Sequence, residues 1–154
     1  MDYTSIGYHF GILNRRSQAF ISYACQPWQI SYPEYVILIE LYRGDGCSQD
    51  ALCKSLTADK ALIARNVKKL ETKGYIRRQQ DKTDRRFKYM YLTEKAKRIQ
   101  QALLDILQCW IYEVTKGMDP VLIEQTIQGL QIVSRNAASL SIETMIHEKG
   151  EKKK

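Results

Sequence analysis

The 154-residue chain is 44% apolar and 27% charged, the balance of an ordinary soluble protein rather than a disordered or fibrous one. A globule of this length buries about 68–70% of its unfolded surface, so it needs neither disulfides nor a metal to fold. Its net charge of +7 is unevenly spread: residues 54–98 carry 15 Lys/Arg against 5 Asp/Glu, a balance of +10, while the remainder sums to −3.

Apolar side chains at Ile6, Phe10, Leu13, Phe20 and Ala24, with Ser17 in the missing slot, repeat at 4-3-4-3-4 and predict an amphipathic helix over residues 3–26. Pro27 ends it. Ser31, Tyr32 and Pro33 open a second helix, the proline being acceptable in its first turn. It runs to about Tyr42, is apolar on most sides, and is stopped by Gly44 and Gly46. Ser48 is the predicted N-cap of a short helix, SQDALCKSL, with Asp50 favourable in its first turn. After a break at LTAD, Asp59 caps a helix reaching about Lys73, and Gly74 supplies a left-handed terminal residue. On that helix Ile63, Val67 and Leu70 share one face. Ala61, Arg65, Lys68 and Thr72 point the other way, flanked by Ala64 and Lys69. Two short helices, the second amphipathic and basic outward, describe a helix-turn-helix.

Strand-like runs follow at 75–79 (YIRRQ) and 87–92 (FKYMYL), the second alternating Phe87, Tyr89 and Tyr91 with Lys88, Met90 and Leu92. The intervening QDKTDR is too long for a two-residue turn, so its tip should project as a wing. Lys82, Arg85, Arg86 and Lys88 crowd this segment, tolerable if they face a polyanion and Asp84 steadies the loop. Thr93 then caps a long helix, with Glu94 at its first position. Ala96, Ile99, Leu103, Ile106, Trp110 and Val114 repeat at threes and fours to about Lys116, roughly 33 Å of helix. Gly117 ends it, and Asp119 and Pro120 restart the chain as N-cap and N1. A last helix carries Ile123, Ile127, Leu130, Val133, Ala137 and Leu140 to about His147, before a polar GEKKK tail.

The fold class expected is mainly α with a small β wing: a winged helix-turn-helix over residues 32–93, flanked by dimerisation helices. The N-terminal helix occupies 1–31, the C-terminal helices 94–148 and the tail 149–154, all as one continuous domain. Three flanking amphipathic helices find few partners in one copy, so a two-fold homodimer is the economical arrangement. A monomeric helical bundle is the competing one.

Other classes are poorly served. The longest apolar run, YVILIELY, is broken by Glu40 and falls short of the ~20 residues of a membrane span, so no membrane partner is expected. The N-terminus lacks a basic stretch before an apolar core, which makes the cytoplasm the default location. Cys25, Cys47, Cys53 and Cys109 form no C-x-x-C pair and read as free thiols; His9 and His147 lie near opposite ends, so no metal site or other cofactor is expected. No nucleophile-and-base pair, paired carboxylates or phosphate loop emerges, and the chain does not read as an enzyme. The localised +10 block points instead to duplex DNA. The alternative is a helical dimer whose basic face docks an acidic protein; RNA is disfavoured because single-strand recognition usually presents an exposed aromatic platform.

The order of elements, the motif D-x-R-x5-L-T at Asp84, Arg86, Leu92 and Thr93, and KKLETKGYIRR at 68–78 together resemble the MarR family of transcriptional regulators. The resemblance is specific over about residues 32–100. It implies a dimer joined through its first and last helices, bound to a pseudo-palindromic operator, usually as a repressor released by a small molecule or by thiol oxidation. Residues 59–73 then correspond to the recognition helix, making Arg65, Lys68 and Lys69 candidates for groove and phosphate contacts, with Lys60 near the helix start. Many relatives have Ser or Thr where this chain has Ala61, Leu62 and Ala64; these can touch thymine methyls but make no hydrogen bonds, leaving more discrimination to the wing and to DNA shape. Arg86 corresponds to the wing arginine placed in the minor groove, with Asp84 as its brace. Ser48 and Gln49 are candidate phosphate donors at a helix start. Effectors of the family bind between dimerisation helices and DNA-binding lobe, so Tyr8, Tyr23, Trp28, Tyr32, Tyr35 and Trp110 are candidate pocket aromatics, core packing being the plainer reading. Peroxide-sensing relatives carry a cysteine early in the first helix. Here the candidate redox thiol, Cys25, lies at its far end and reads more readily as buried and inert.

Overall fold

The computed structural model of the chain describes residues 3–81 and 88–141. Helix α1 (Tyr3–Ala24) is followed by a single 3-10 turn at Gln26–Trp28 with Pro27 in its first positions, and Gln29 closes that turn in the left-handed region at φ 56°. Helix α2 (Tyr32–Arg43) follows, with Pro33 where a missing amide costs nothing. Next come β1 (Cys47–Ser48), α3 (Gln49–Ser55), α4 (Lys60–Thr72), β2 (Ile76–Gln80), β3 (Lys88–Leu92), α5 (Glu94–Val114) and α6 (Pro120–Ser139). The class is the expected one, mostly helical with a small wing sheet.

The caps read from sequence are in place. The Ala51 amide donates to Ser48 Oγ at 3.2 Å, and the Ala61 and Leu62 amides donate to Asp59 at 2.8 and 3.0 Å. Leu122 donates to Asp119 at 2.8 Å. Each such cap contributes ~1 kcal/mol. Gly74 and Gly117 adopt φ of 75° and 87°, which glycine enters without steric cost.

The sheet is antiparallel with strand order β1-β3-β2; Cys47 faces Met90 and Ile76 faces Leu92. The alternation expected on β3 holds from Tyr89 to Leu92, with Met90 and Leu92 buried and Tyr89 and Tyr91 only half-buried, while Lys88, on the same side as Met90 and Leu92, is exposed at the strand's start. The pairing of β1 was not expected from sequence. It is reached through a tight corner at Asp45-Gly46, where Asp45 Oδ1 accepts from the Leu92 amide at 2.8 Å and the Gly46 amide at 3.0 Å. Gly46 sits at φ 80°, and a Cβ there would lie 2.7 Å from the Tyr91 ring. Gly46→Ala is therefore expected to cost about 2 kcal/mol, seen as a thermal midpoint lowered by about 4–8 °C.

The chain divides into two units, Met1–Val114 and Thr115–Lys154. The first holds the core, built around α2, whose Ile37, Leu38 and Leu41 are 0–1% exposed. Helix α2 packs against α1, α4, α5 and β3. Two tyrosines, Tyr35 buried and Tyr42 half-buried, fasten it to α5: Tyr35 donates its hydroxyl to Leu103 O at 3.1 Å and Tyr42 to Ala96 O at 2.7 Å. Burial pushes both phenols up to about 12, helped by Cys25 and Tyr32 at Tyr35 and by Tyr75 at Tyr42. On α1 the expected seam is only partly covered in the single chain. Ile21 and the following Cys25 are its core contributions, Phe20 tilts against Trp110 with centroids 5.3 Å apart, and Ile6, Phe10 and Leu13 stay exposed.

The second unit is α6. None of its described residues is buried, and Leu122, Ile127, Leu130 and Val133 are 43–46% exposed. It ends at Ser139, short of the predicted His147: Leu140 turns extended, and the Ser139 hydroxyl donates to Asn136 O, competing with the helix ladder. Residues 142–154, including the predicted end of this helix and the tail, lie outside the described residues. Among those described, no helix is long and apolar enough to cross a membrane.

Candidate nucleic-acid interface

Helix α4 divides sharply into two faces. Ile63, Asn66, Val67 and Leu70 are buried, and Ala61, Arg65, Lys68, Lys69 and Thr72 are exposed. The buried face includes a residue that the apolar pattern skipped: Asn66 fits because its amide donates to Leu62 O at 2.9 Å within the same helix. On the outer side Arg65, Lys68, Lys69, Thr72 and Lys73 border a hollow of about 290 Å³. The charges of Arg65, Lys68 and Lys69 enter no ion pair among the described residues. Unpaired, clustered cations on one exposed helix face are positioned to meet phosphates and base edges.

Lys60, at the first position of α4, is held differently. Its ammonium lies 2.9 Å from Asp50 in the first turn of α3, both side chains being mostly solvated. The Asp50 hydrogen bond and charge raise the lysine, and the lysine in turn lowers Asp50. Ser48 caps α3 and is half-buried, as is Gln49. Lys88 opens β3 and is exposed. The candidates Lys82, Asp84, Arg85 and Arg86, with the tip of the wing, lie outside the described residues. At the wing's base, Arg77 stacks on Tyr91 at 4.8 Å, and Arg78 pairs with Glu71 at 3.2 Å.

The sequence reading missed a buried ion pair behind this surface. Glu34, fully buried at the start of α2, faces Lys73 at the end of α4, with Nζ 2.6 and 2.8 Å from its two oxygens. The same ammonium donates to Gln29 O at 2.6 Å, and Glu34 also receives the amide and hydroxyl of Ser31, each at 2.7 Å. The S-x-x-E spacing at 31–34 was the available signal for the Ser31 contact; Lys73 is too distant in sequence for any local rule. Burial alone would raise the Glu34 carboxyl, but hydrogen bonds from Lys73 and Ser31 and the Lys73 charge outweigh it and hold it below the ordinary carboxylate value. A lowered folded value means that this stability is present above the unfolded carboxylate range and is lost as pH falls through the folded value. Glu34→Gln should lose about 3 kcal/mol at neutral pH, with the gap from wild type in urea midpoint closing as the buffer is acidified.

The aromatic candidates do not gather in the single chain. Tyr8 and Tyr23 are 65% and 74% exposed on α1, Tyr35 is buried against α5, and Trp110 stacks on Phe20. Trp28 packs against the core at the 3-10 turn, its carbonyl accepting from the Tyr75 hydroxyl at 3.0 Å. Only Tyr32 borders the largely apolar cavity, about 290 Å³, between α1, α2 and the helix-turn-helix, together with Gln18, Val36, Leu56, Leu62 and Asn66. Cys25 is fully buried and burial pushes its thiol up to about 11, so at neutral pH it is a protonated core residue.

Comparison with known proteins agrees with this geometry. A MarR family sequence profile matches residues 30–88. The chain is 31% identical to a MarR transcriptional regulator from Methanosarcina mazei Go1, whose crystal structure superposes with a TM-score of 0.82 over 87% of this chain and 96% of that one. A MarR family regulator from Listeria monocytogenes, crystallised with a 26mer DNA, shares the fold at a TM-score of 0.83 and 20% identity, over 93% of both chains. The uncharacterized HTH-type transcriptional regulator YybA of Bacillus subtilis (strain 168) is 26% identical over 93 residues, 60% of this chain and 62% of YybA, less than two thirds of that relative's length.

Proposed function

Because the chain belongs to the MarR family of DNA-binding transcriptional regulators, we propose that it works as a homodimeric repressor of a pseudo-palindromic operator and that a small molecule releases it. The observation that carries the reading is the outer face of α4, where three exposed cations that enter no ion pair among the described residues stand opposite a face sealed in the core. In this reading α4 enters the major groove, Arg65 reads base edges, and Lys68, Lys69 and Lys60 meet phosphates. Arg86 serves the minor groove, the role that its correspondence to the family's wing arginine implies. Residues 32–93 form the DNA-binding region, and 1–31 and 94–148 serve dimerisation in the cytoplasm. The exposed apolar residues of α1 and α6 support the dimer, since a stable interface buries ~1,600 Å² and needs such surface.

Titration of the protein against duplex DNA from its own upstream region, over a salt series, tests the reading. Specific binding that weakens steeply with salt is the expected result; indifference to duplex DNA at low salt overturns it. Sedimentation should report a dimer at micromolar concentration, and Leu13→Asp should shift it toward monomer. For the effector, the cavity beside Tyr32 suits a compact, mostly apolar molecule with one polar group in reach of Gln18 or Asn66. A screen of phenolic compounds for loss of DNA binding would identify it.

A further inference from the structure

The turn at Lys73-Gly74-Tyr75 joins the recognition helix to the wing, and it is bonded both to the 28–34 segment and to the start of α5. The Lys73 ammonium reaches back to Gln29 O and to Glu34, and the Tyr75 hydroxyl donates to Trp28 O at 3.0 Å. From the other side, Thr93 Oγ1 donates to Gly74 O at 2.7 Å and Tyr75 O at 3.0 Å. Lys95 donates to Lys73 O at 2.7 Å while lying 4.3 Å above the Tyr75 ring. The end of α4 is thus fastened to the segment that follows α1 and to the start of α5.

Lys73 is chemically out of place in a block of DNA-facing cations. Its side chain is 30% exposed, its charge is matched by a carboxylate that is 1% exposed, and it also serves a backbone carbonyl of the α1–α2 connection. An ammonium so engaged is less available to a phosphate than the neighbouring Lys68 and Lys69. We propose that Glu34 and Lys73 are positioning residues for operator binding: their ion pair fixes the C-terminal end of α4 against the 28–34 segment and so sets the angle at which Arg65, Lys68 and Lys69 are presented. The role rests on the DNA-binding reading above and adds a link from the end of α1 to the reading head. A tilt of α4 that spoils base contacts costs specific binding, whereas non-specific binding, which needs only charge near phosphate, tolerates it.

The test uses the full chain with Glu34→Gln, Lys73→Met and the double variant, at a temperature where circular dichroism shows all of them folded. Affinity is measured for operator and for unrelated duplex across a salt series. Each single variant should lower operator affinity about tenfold while the non-specific salt slope stays that of wild type, and the double should be no worse than the weaker single. Lys73→Arg, which keeps a cation beside Glu34, should recover most of the loss and guards against variants that fail to fold. A salt slope reduced by about 0.9 for each lysine removed, with Glu34→Gln silent, would make Lys73 a phosphate contact and overturn the proposal. An unchanged operator preference in variants that merely melt earlier would also overturn it. If wild type binds operator while the variants keep its preference, only the positioning role fails. If wild type ignores duplex DNA, the functional reading falls and takes this role with it.

Discussion

Replacing Arg65, Lys68 and Lys69 together by alanine should weaken operator binding at least a thousandfold, about 4 kcal/mol, with little change in stability. All three side chains are exposed and lie opposite Ile63, Val67 and Leu70, so their removal leaves the core of α4 intact. Alanine is also the better helix former, and surface changes of this kind usually shift stability by less than ~0.5 kcal/mol. The loss should divide by chemistry. Lys68→Ala with Lys69→Ala removes four lysines from the proposed dimer, lowering the salt slope by about 3.6 if each meets one phosphate. Arg65→Ala should leave most of that slope and instead relax base preference at one position in each half-site, by ~1–3 kcal/mol of discrimination. Anisotropy titrations against operator and single-base variants separate the two.

Leu38→Ala should lower stability by about 3–4 kcal/mol, and with it the thermal midpoint by about 10 °C. Leu38 is 0% exposed at the centre of α2, the helix that packs against α1, α4, α5 and β3. Its neighbours Ile37 and Leu41 are equally buried, so collapse around a cavity would have to move several elements at once. Urea unfolding should show a lower midpoint with an unchanged slope, because the loss is of packing rather than of compactness.

What could be read from sequence was whatever local chemistry encodes. Ser48, Asp59 and Asp119 announced helix starts because their side-chain oxygens satisfy amides two or three residues on, and Gly74 and Gly117 announced ends because few other residues enter the left-handed region. The two faces of α4 followed from 100° per residue. Strand β1 escaped because two residues carry no periodicity, and its pairing depends on Met90 and Tyr89, more than forty positions away. Glu34 and Lys73 escaped for the same reason: a buried pair across 39 positions is a product of the fold. The aromatic candidates show the opposite failure. Residue type suggested a pocket, but solvent exposure of Tyr8 and Tyr23 and burial of Tyr35 depend on what each helix packs against, which composition does not specify.

The placement of the two tryptophans has a spectroscopic consequence. Trp28 follows α1 and packs on the core, and Trp110 lies on α5 against Phe20 of α1. The helix-turn-helix and wing contain none. Tryptophan emission, excited selectively over the tyrosines, therefore observes the α1–α5 contact through Trp110 and, through Trp28, the anchor of the Tyr75 hydroxyl at the end of α4, with no reporter on the outer face of α4 itself. A shift in tryptophan emission on adding duplex DNA would register motion relayed from the interface, with no label attached.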